Sequence, residues 1–160
     1  MKPAPRIRYR LGRPPDARAI GELARRVTRR WILPGQPVAA AAPLLAGMRA
    51  WVIRRKIIAG QRFHLACLDD GRVVGVAAMR DDSHLFQFFV DTRWHGHGIA
   101  RQLWQRTLRD ARQRAGTRHF TLNSSAMAVP VYLHFGFLPS GPLKAKDTVL
   151  VVQPMRLDLP

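Results

Sequence analysis

The sequence predicts one α/β domain spanning residues 1–160, with a mixed, mostly antiparallel sheet and helices on both faces, in the order β-α-α-β-β-β-α-β-α-β. Three observations lead there. Residues 63–68 and 73–79 are apolar runs joined by Asp69-Asp70-Gly71, which is a hairpin turn. A third apolar run, 85–90, follows the Asp81-Asp82-Ser83 turn, so three strands meander. The third strand then enters His95-Gly96-His97-Gly98-Ile99-Ala100, a glycine-interrupted loop beyond which apolar residues recur at helical spacing.

Taken in order, residues 7–11 form a first strand that Pro14-Pro15-Asp16 stops, and Asp16 is an N-cap for a helix from Ala17. Ile20, Leu23, Ala24, Val27 and Trp31 share one face of that helix, while Arg18, Glu22, Arg25, Arg26 and Arg29 cover the other. Pro34-Gly35-Gln36-Pro37 is a loop. A second helical region, 43–59, is closed by Gly60. After the glycine loop a helix over 98–115 buries Ile99, Leu103, Trp104, Leu108 and Ala111, and Gly116 ends it. Residues 119–122 are a strand. Asn123, Ser124 and Ser125 cap a short helix that Gly136 terminates, and 148–152 with 155–159 make a last extended segment, where Pro154 marks a bulge or an edge.

Composition narrows the class. A 47% hydrophobic content and four tryptophans belong to a folded globule. Cys67 is the single cysteine, which rules out an internal disulfide and fits a reducing, cytoplasmic setting. The start, MKPAPRIRYR, lacks the apolar core of a signal peptide. Residues 38–58 are the most apolar long window, but Pro43, Gly47, Arg49, Arg54 and Arg55 oppose a membrane span. The formal charge is +17, and Lys2, Lys56, Lys144 and Lys146 are the only lysines among 27 basic residues. The arginines spread over every element, which reads as a solvated surface ahead of a nucleic-acid site. At long range that field favours an anionic ligand.

The glycine loop is where the chemistry gathers. A strand-to-helix loop leaves N–H groups unpaired at a helix N-terminus, which suits a phosphate or pyrophosphate. It is not a P-loop, since no lysine lies between Lys56 and Lys144, and Arg101 stands where a Rossmann fingerprint needs a third small residue. Alone, Gly96 and Gly98 are also satisfied by a tight turn.

Three segments together resemble the GNAT superfamily of acyl-CoA N-acyltransferases. The family's loop, Arg/Gln-x-x-Gly-x-Gly/Ala after a strand, corresponds to His95-Gly96-His97-Gly98-Ile99-Ala100 after Phe89-Val90-Asp91. A later strand ending in Asn and then Ala-x-x-x-Tyr-x-x-x-Gly-Phe corresponds to Asn123 and Ala128 through Tyr132 to Gly136-Phe137. Gly141-Pro142 and Pro154-Met155-Arg156-Leu157 look like the closing strand. One departure is His95, where the family carries Arg or Gln; it affects one side-chain contact and leaves the backbone cradle in place.

The resemblance implies a GNAT-like acyl-CoA N-acyltransferase fold and an N-acetyltransferase that uses acetyl-CoA and no metal. Acetyl-CoA would lie between the strands of 85–90 and 119–123, with its pyrophosphate on the N–H groups of His97, Gly98, Ile99, Ala100 and Arg101. Its pantetheine would pair with the backbone near Phe88, Phe89 and Val90, and His95, Gly96 and Asn123 complete the cofactor set. A strand N–H would polarise the thioester carbonyl. Tyr132 matches the family's general acid, and His84 stands where a base is often found, with Asp81, Asp82 and water as alternatives. His95 and His97 have no carboxylate cluster beside them, which argues against a metal site. The acceptor would be a small-molecule amine, or in a variant a protein amine, bound by residues 31–48, the Asp81-to-His84 turn and the tail. Family members are often homodimers. Two other classes stay open: a basic nucleic-acid-binding module and a degenerate acyl-CoA sensor.

Overall fold

The computed structural model describes residues 3–146 and 150–160. Its sheet runs β1 (Arg8–Leu11), β2 (Arg62–Cys67), β3 (Val73–Arg80), β4 (His84–Val90), β5 (His119–Ser124), β8 (Leu150–Asp158) and β6 (Leu138–Pro139), with β7 (Lys144–Lys146) also paired to β8. Among these pairs only β4–β5 is parallel. The helices are α1 (Ala17–Val27), α2 (Ala41–Ala46), α3 (Ala50–Ile58), α4 (Ile99–Ala115) and α5 (Val129–His134).

Helices cover both faces, as the pattern predicts, because the period-2 alternation of the strands makes two apolar surfaces. Ala77 and Met79 of β3 join Leu103, Trp104, Phe120 and Phe137 in one core, on the α4 side. Val76 and Ala78 join Ile20, Leu23, Ile53 and Phe63 in the other, on the α1 side. Among the described residues no helix is long and apolar enough to cross a membrane.

Several elements differ from the sequence-based expectation. The helix expected over 43–59 is two helices, because Arg49 is extended (ψ 146°) and turns Met48 inward between them. There the Met48 carbonyl accepts a hydrogen bond from Arg25 Nη1 at 2.6 Å. Gly21 of α1 permits the approach, since a Cβ on it would stand 2.6 Å from that carbonyl. Trp31 lies past the end of α1, in a five-residue π-helical turn, Thr28–Ile32. Asp16 occupies the N-cap position of α1 but does not cap it with its side chain. Its carboxylate instead takes two hydrogen bonds from Arg10 and one from the Arg13 N–H, tying the helix start to β1.

Asn123 and Ser124 belong to β5, held there by pairing with Pro154 and Gln153, and no side-chain bond caps the short helix that follows. The register of β5 and β8 passes unbroken through Pro154, so it marks no bulge in that pairing. On its other side Pro154 falls between the residues paired to β6 and those paired to β7. Of the expected segment 148–152, Thr148 and Val149 lie outside the described residues.

Candidate active site

The site begins where the sheet opens. β4 and β5 pair only at His84 with Thr121 and Leu85 with Leu122, and then they part. A bulge at Phe86 shifts the β3–β4 register, since Met79 faces Leu85 while Ala78 faces Gln87. Such a bulge re-aims side chains. Leu85, Phe88 and Val90 therefore pack on the α4 side, and Phe86 and Phe89 on the α1 side. The Asp91 N–H donates to Val74 O at 2.8 Å, toward β3. Strand alternation then sends the N–H and C=O of Val90 and Phe88 the other way, where β5 has left.

The glycine loop closes the open end. Asp91 accepts the Arg93 N–H at 3.0 Å and Arg26 Nη2 at 2.9 Å, which fixes the start of the loop to α1. Burial works to raise the Asp91 pKa, but these hydrogen bonds outweigh it and hold the carboxyl below its ordinary value. Gly96 (φ 79°) and Gly98 (φ 73°) are both left-handed, and Gly98 immediately precedes α4. The first α4 bond runs from Gln102 N–H to Gly98 O, at 3.1 Å. The N–H groups of Ile99, Ala100 and Arg101 precede it and have no intrahelical acceptor. A Cβ on either glycine would meet no protein atom within 4 Å, so the loop leaves open space beside these donors.

His95 does not reach outward as a long Arg or Gln can. Its Nε2 donates to Val90 O at 2.9 Å, and its ring stacks on Trp31 at 6.3 Å. The imidazole thus caps the last carbonyl of β4.

A cavity of about 510 Å³ fills the opening. Of the residues singled out in the sequence, Phe88, Phe89, Val90, His95, Gly96, Gly98, Ile99, Ala100, Asn123 and Tyr132 line it. Tyr132 is 8% exposed and packs against Phe88 and Phe137, at 6.0 and 6.1 Å between ring centroids. Burial raises its phenol above the ordinary value, so at neutral pH the hydroxyl keeps its proton.

The remaining candidates stand off the cavity wall. His84 holds Thr121 at the closed end of the opening, with Nδ1 2.8 Å from Oγ1. The His97 ring packs on Trp94 at 5.3 Å, and Arg101 lies on the exposed side of α4, though both still offer backbone N–H groups. Asp82 pairs with Arg114, and Asp81 lies 3.8 Å from Arg80.

The opposite wall was only coarsely legible. Trp31, Ile32, Gln36, Leu44 and Met48 line it from the 31–48 stretch, with Leu150 and Val152 from the tail, whereas the Asp81-to-His84 turn does not reach it. Gln36 carries no motif signal. Its amide donates to Val151 O and accepts from Val151 N, both at 2.8 Å, pinning the loop before α2 onto β8.

Among the described residues, then, a mostly antiparallel sheet splays at its one parallel pair, with a glycine loop and a helix start at the mouth. Residues 39–159 match the acetyltransferase (GNAT) domain, and the chain belongs to that family. Solved structures agree in fold. A GCN5-related N-acetyltransferase from Rhodopseudomonas palustris has 17% identity and TM-score 0.81, covering 99% of this chain and 98% of that one. PaiA N-acetyltransferase from Thermoplasma acidophilum, solved in complex with coenzyme A, has 13% identity and TM-score 0.77, over 96% and 99%. YncA from Salmonella typhimurium, a putative acetyltransferase solved with acetyl-CoA, has 18% identity and TM-score 0.70, over 97% and 95%. No curated protein sequence matches the chain.

Proposed function

We propose that this protein transfers an acetyl group from acetyl-CoA to a primary amine of a small molecule, by direct attack in a ternary complex. One observation carries the reading: the unpaired edge of β4, the donor-rich start of α4 and the buried phenol of Tyr132 all face one cavity. The residues present fit the cosubstrate, because the left-handed glycines leave a cradle that a Cβ would fill.

When bound, acetyl-CoA supplies an activated acyl thioester. The N–H groups of His97, Gly98, Ile99, Ala100 and Arg101 hold its pyrophosphate at the positive end of α4. The N–H and C=O of Phe88 and the N–H of Val90 orient the pantetheine, and an N–H among them polarises the thioester carbonyl, while the Val90 C=O stays with His95. Tyr132 gives its phenolic proton to the departing sulfur as the C–S bond breaks and the C–N bond forms, and takes one back from the acylated nitrogen. His84, off the cavity wall, can accept a proton from the amine only across water.

Two measurements test the reading together. Acetyl-CoA should raise the melting temperature, and amines should release free thiol from it. Binding without thiol release from any primary amine would leave an acyl-CoA sensor, and no binding at all would remove the proposal.

A further inference from the structure

The wall facing the acceptor is apolar. Trp31, Ile32, Leu44, Met48 and Phe86 form it, and the one neutral amide among them, Gln36, has its group spent on Val151. Trp31 is fixed as a plate. Its indole N–H donates to Thr92 Oγ1 at 3.0 Å, and the Arg30 guanidinium sits 4.2 Å from its ring centroid. Lys56 covers Phe86 at 4.7 Å. Arg30 and Lys56 thus lie on its aromatic rings, and Arg25 is held on the Met48 carbonyl.

No carboxylate, lysine or arginine lines the cavity among the described residues. The acidic groups of the described residues are also all engaged. Of the ten, Asp147 lies outside the described residues, and every other one has an arginine nitrogen within 3.8 Å. Asp91 comes nearest the cavity in sequence, one residue past Val90, yet its side chain is 4% exposed and held by Arg26 and Arg93.

From this we infer that the acceptor is a monoamine on an apolar, arylalkyl body; the inference rests on the acetyltransferase reading above. A polyamine would bring a second positive charge into a chamber whose described walls hold no counter-charge, and a free amino acid would bring a carboxylate that no described cavity-lining cation meets. Either charge would be desolvated without a partner. The +17 field adds repulsion against polycations on approach. An arylalkyl monoamine buries its ring against Trp31 and Phe86 instead.

The same walls deprotonate it. An ammonium entering them loses water and gains no anion, so its pKa falls and one proton leaves to solvent. The neutral amine then attacks, and the second proton follows the Tyr132 exchange already described. No side-chain base is required.

The test uses the purified full chain with acetyl-CoA and reads thiol release from phenethylamine, spermidine, phenylalanine and a lysine peptide. Phenethylamine should exceed the others in kcat/KM by about a hundredfold or more, the scale of a buried unpaired charge. Release that favours spermidine, phenylalanine or the peptide would overturn the inference and leave acetyl transfer standing. Release from none would remove acetyl transfer itself. Two further readouts sharpen the result. Leu44→Glu, on half-buried α2, should move the spermidine-to-phenethylamine ratio upward by about tenfold, and an unmoved ratio would place the acceptor elsewhere. The acid limb of kcat/KM should follow the pKa of the amine across substituted phenethylamines; a limb fixed regardless of amine would show a protein base and contradict deprotonation by the walls.

Discussion

On the β4–α4 wall of the cavity the groups open to a ligand are backbone: the outward N–H and C=O of Phe88, the Val90 N–H, and the N–H groups after Gly98. On the α1–α2 wall they are side chains, Trp31, Leu44, Met48 and Phe86 among them. A backbone wall needs positive φ at fixed positions, so it leaves a spaced glycine signature in the sequence. A side-chain wall needs only volume and apolarity, which many sequences supply. On the proposed reading the first wall would hold the cosubstrate that the family shares, and the second would set which amine is accepted.

The largest effect expected from breaking this contrast is at the loop. Gly98→Ala and Gly116→Ala put the same methyl into the same left-handed conformation, and neither Cβ meets a protein atom within 4 Å. Each should cost about 1–2 kcal/mol of stability, read as a similar fall in melting temperature. Only Gly98→Ala should lose the acetyl-CoA-induced rise, while His97→Ala should keep most of it. A full rise in Gly98→Ala would show that the wall does not bind through its backbone.

A smaller effect is expected at Gln36. Gln36→Ala removes two hydrogen bonds that pin the acceptor wall to β8, at about 0.5–1.5 kcal/mol each. The KM for the acceptor should rise severalfold and the acetyl-CoA shift should stay as it was. A variant that loses both would mean the walls are one mechanical unit.

The smallest effect is expected at His84. With its ring engaged by Thr121 at the closed end of the opening, His84→Ala should lower turnover only about twofold to threefold, below the range of a direct acid–base group. Its acid limb should stay where the amine puts it. A vanished acid limb would make His84 the base.

The same contrast explains what the sequence disclosed. The strands β2 to β4 and the loop into α4 were legible because Asp69-Asp70-Gly71, Asp81-Asp82 and Gly96-x-Gly98 fix turns within a few residues. Both aspartates of the second turn have φ 53°, a hairpin geometry that Asp tolerates. The break between α2 and α3 was hidden, because it depends on Arg25 reaching Met48 from another helix. The Phe86 bulge was hidden as well. It exists only in the register against β3, and LFQFFV reads as one run without it. Gln36 was the least legible of all, since its partner lies 115 residues away.

The central claim is that Tyr132 supplies the proton to the departing sulfur, and Tyr132→Phe tests it most directly. The substitution keeps the ring against Phe88 and Phe137 and removes only the hydroxyl. The account predicts an unchanged melting temperature and acetyl-CoA affinity, with kcat reduced by about 10²–10⁴. Turnover within about twofold of the parent would contradict it and return Tyr132 to the core.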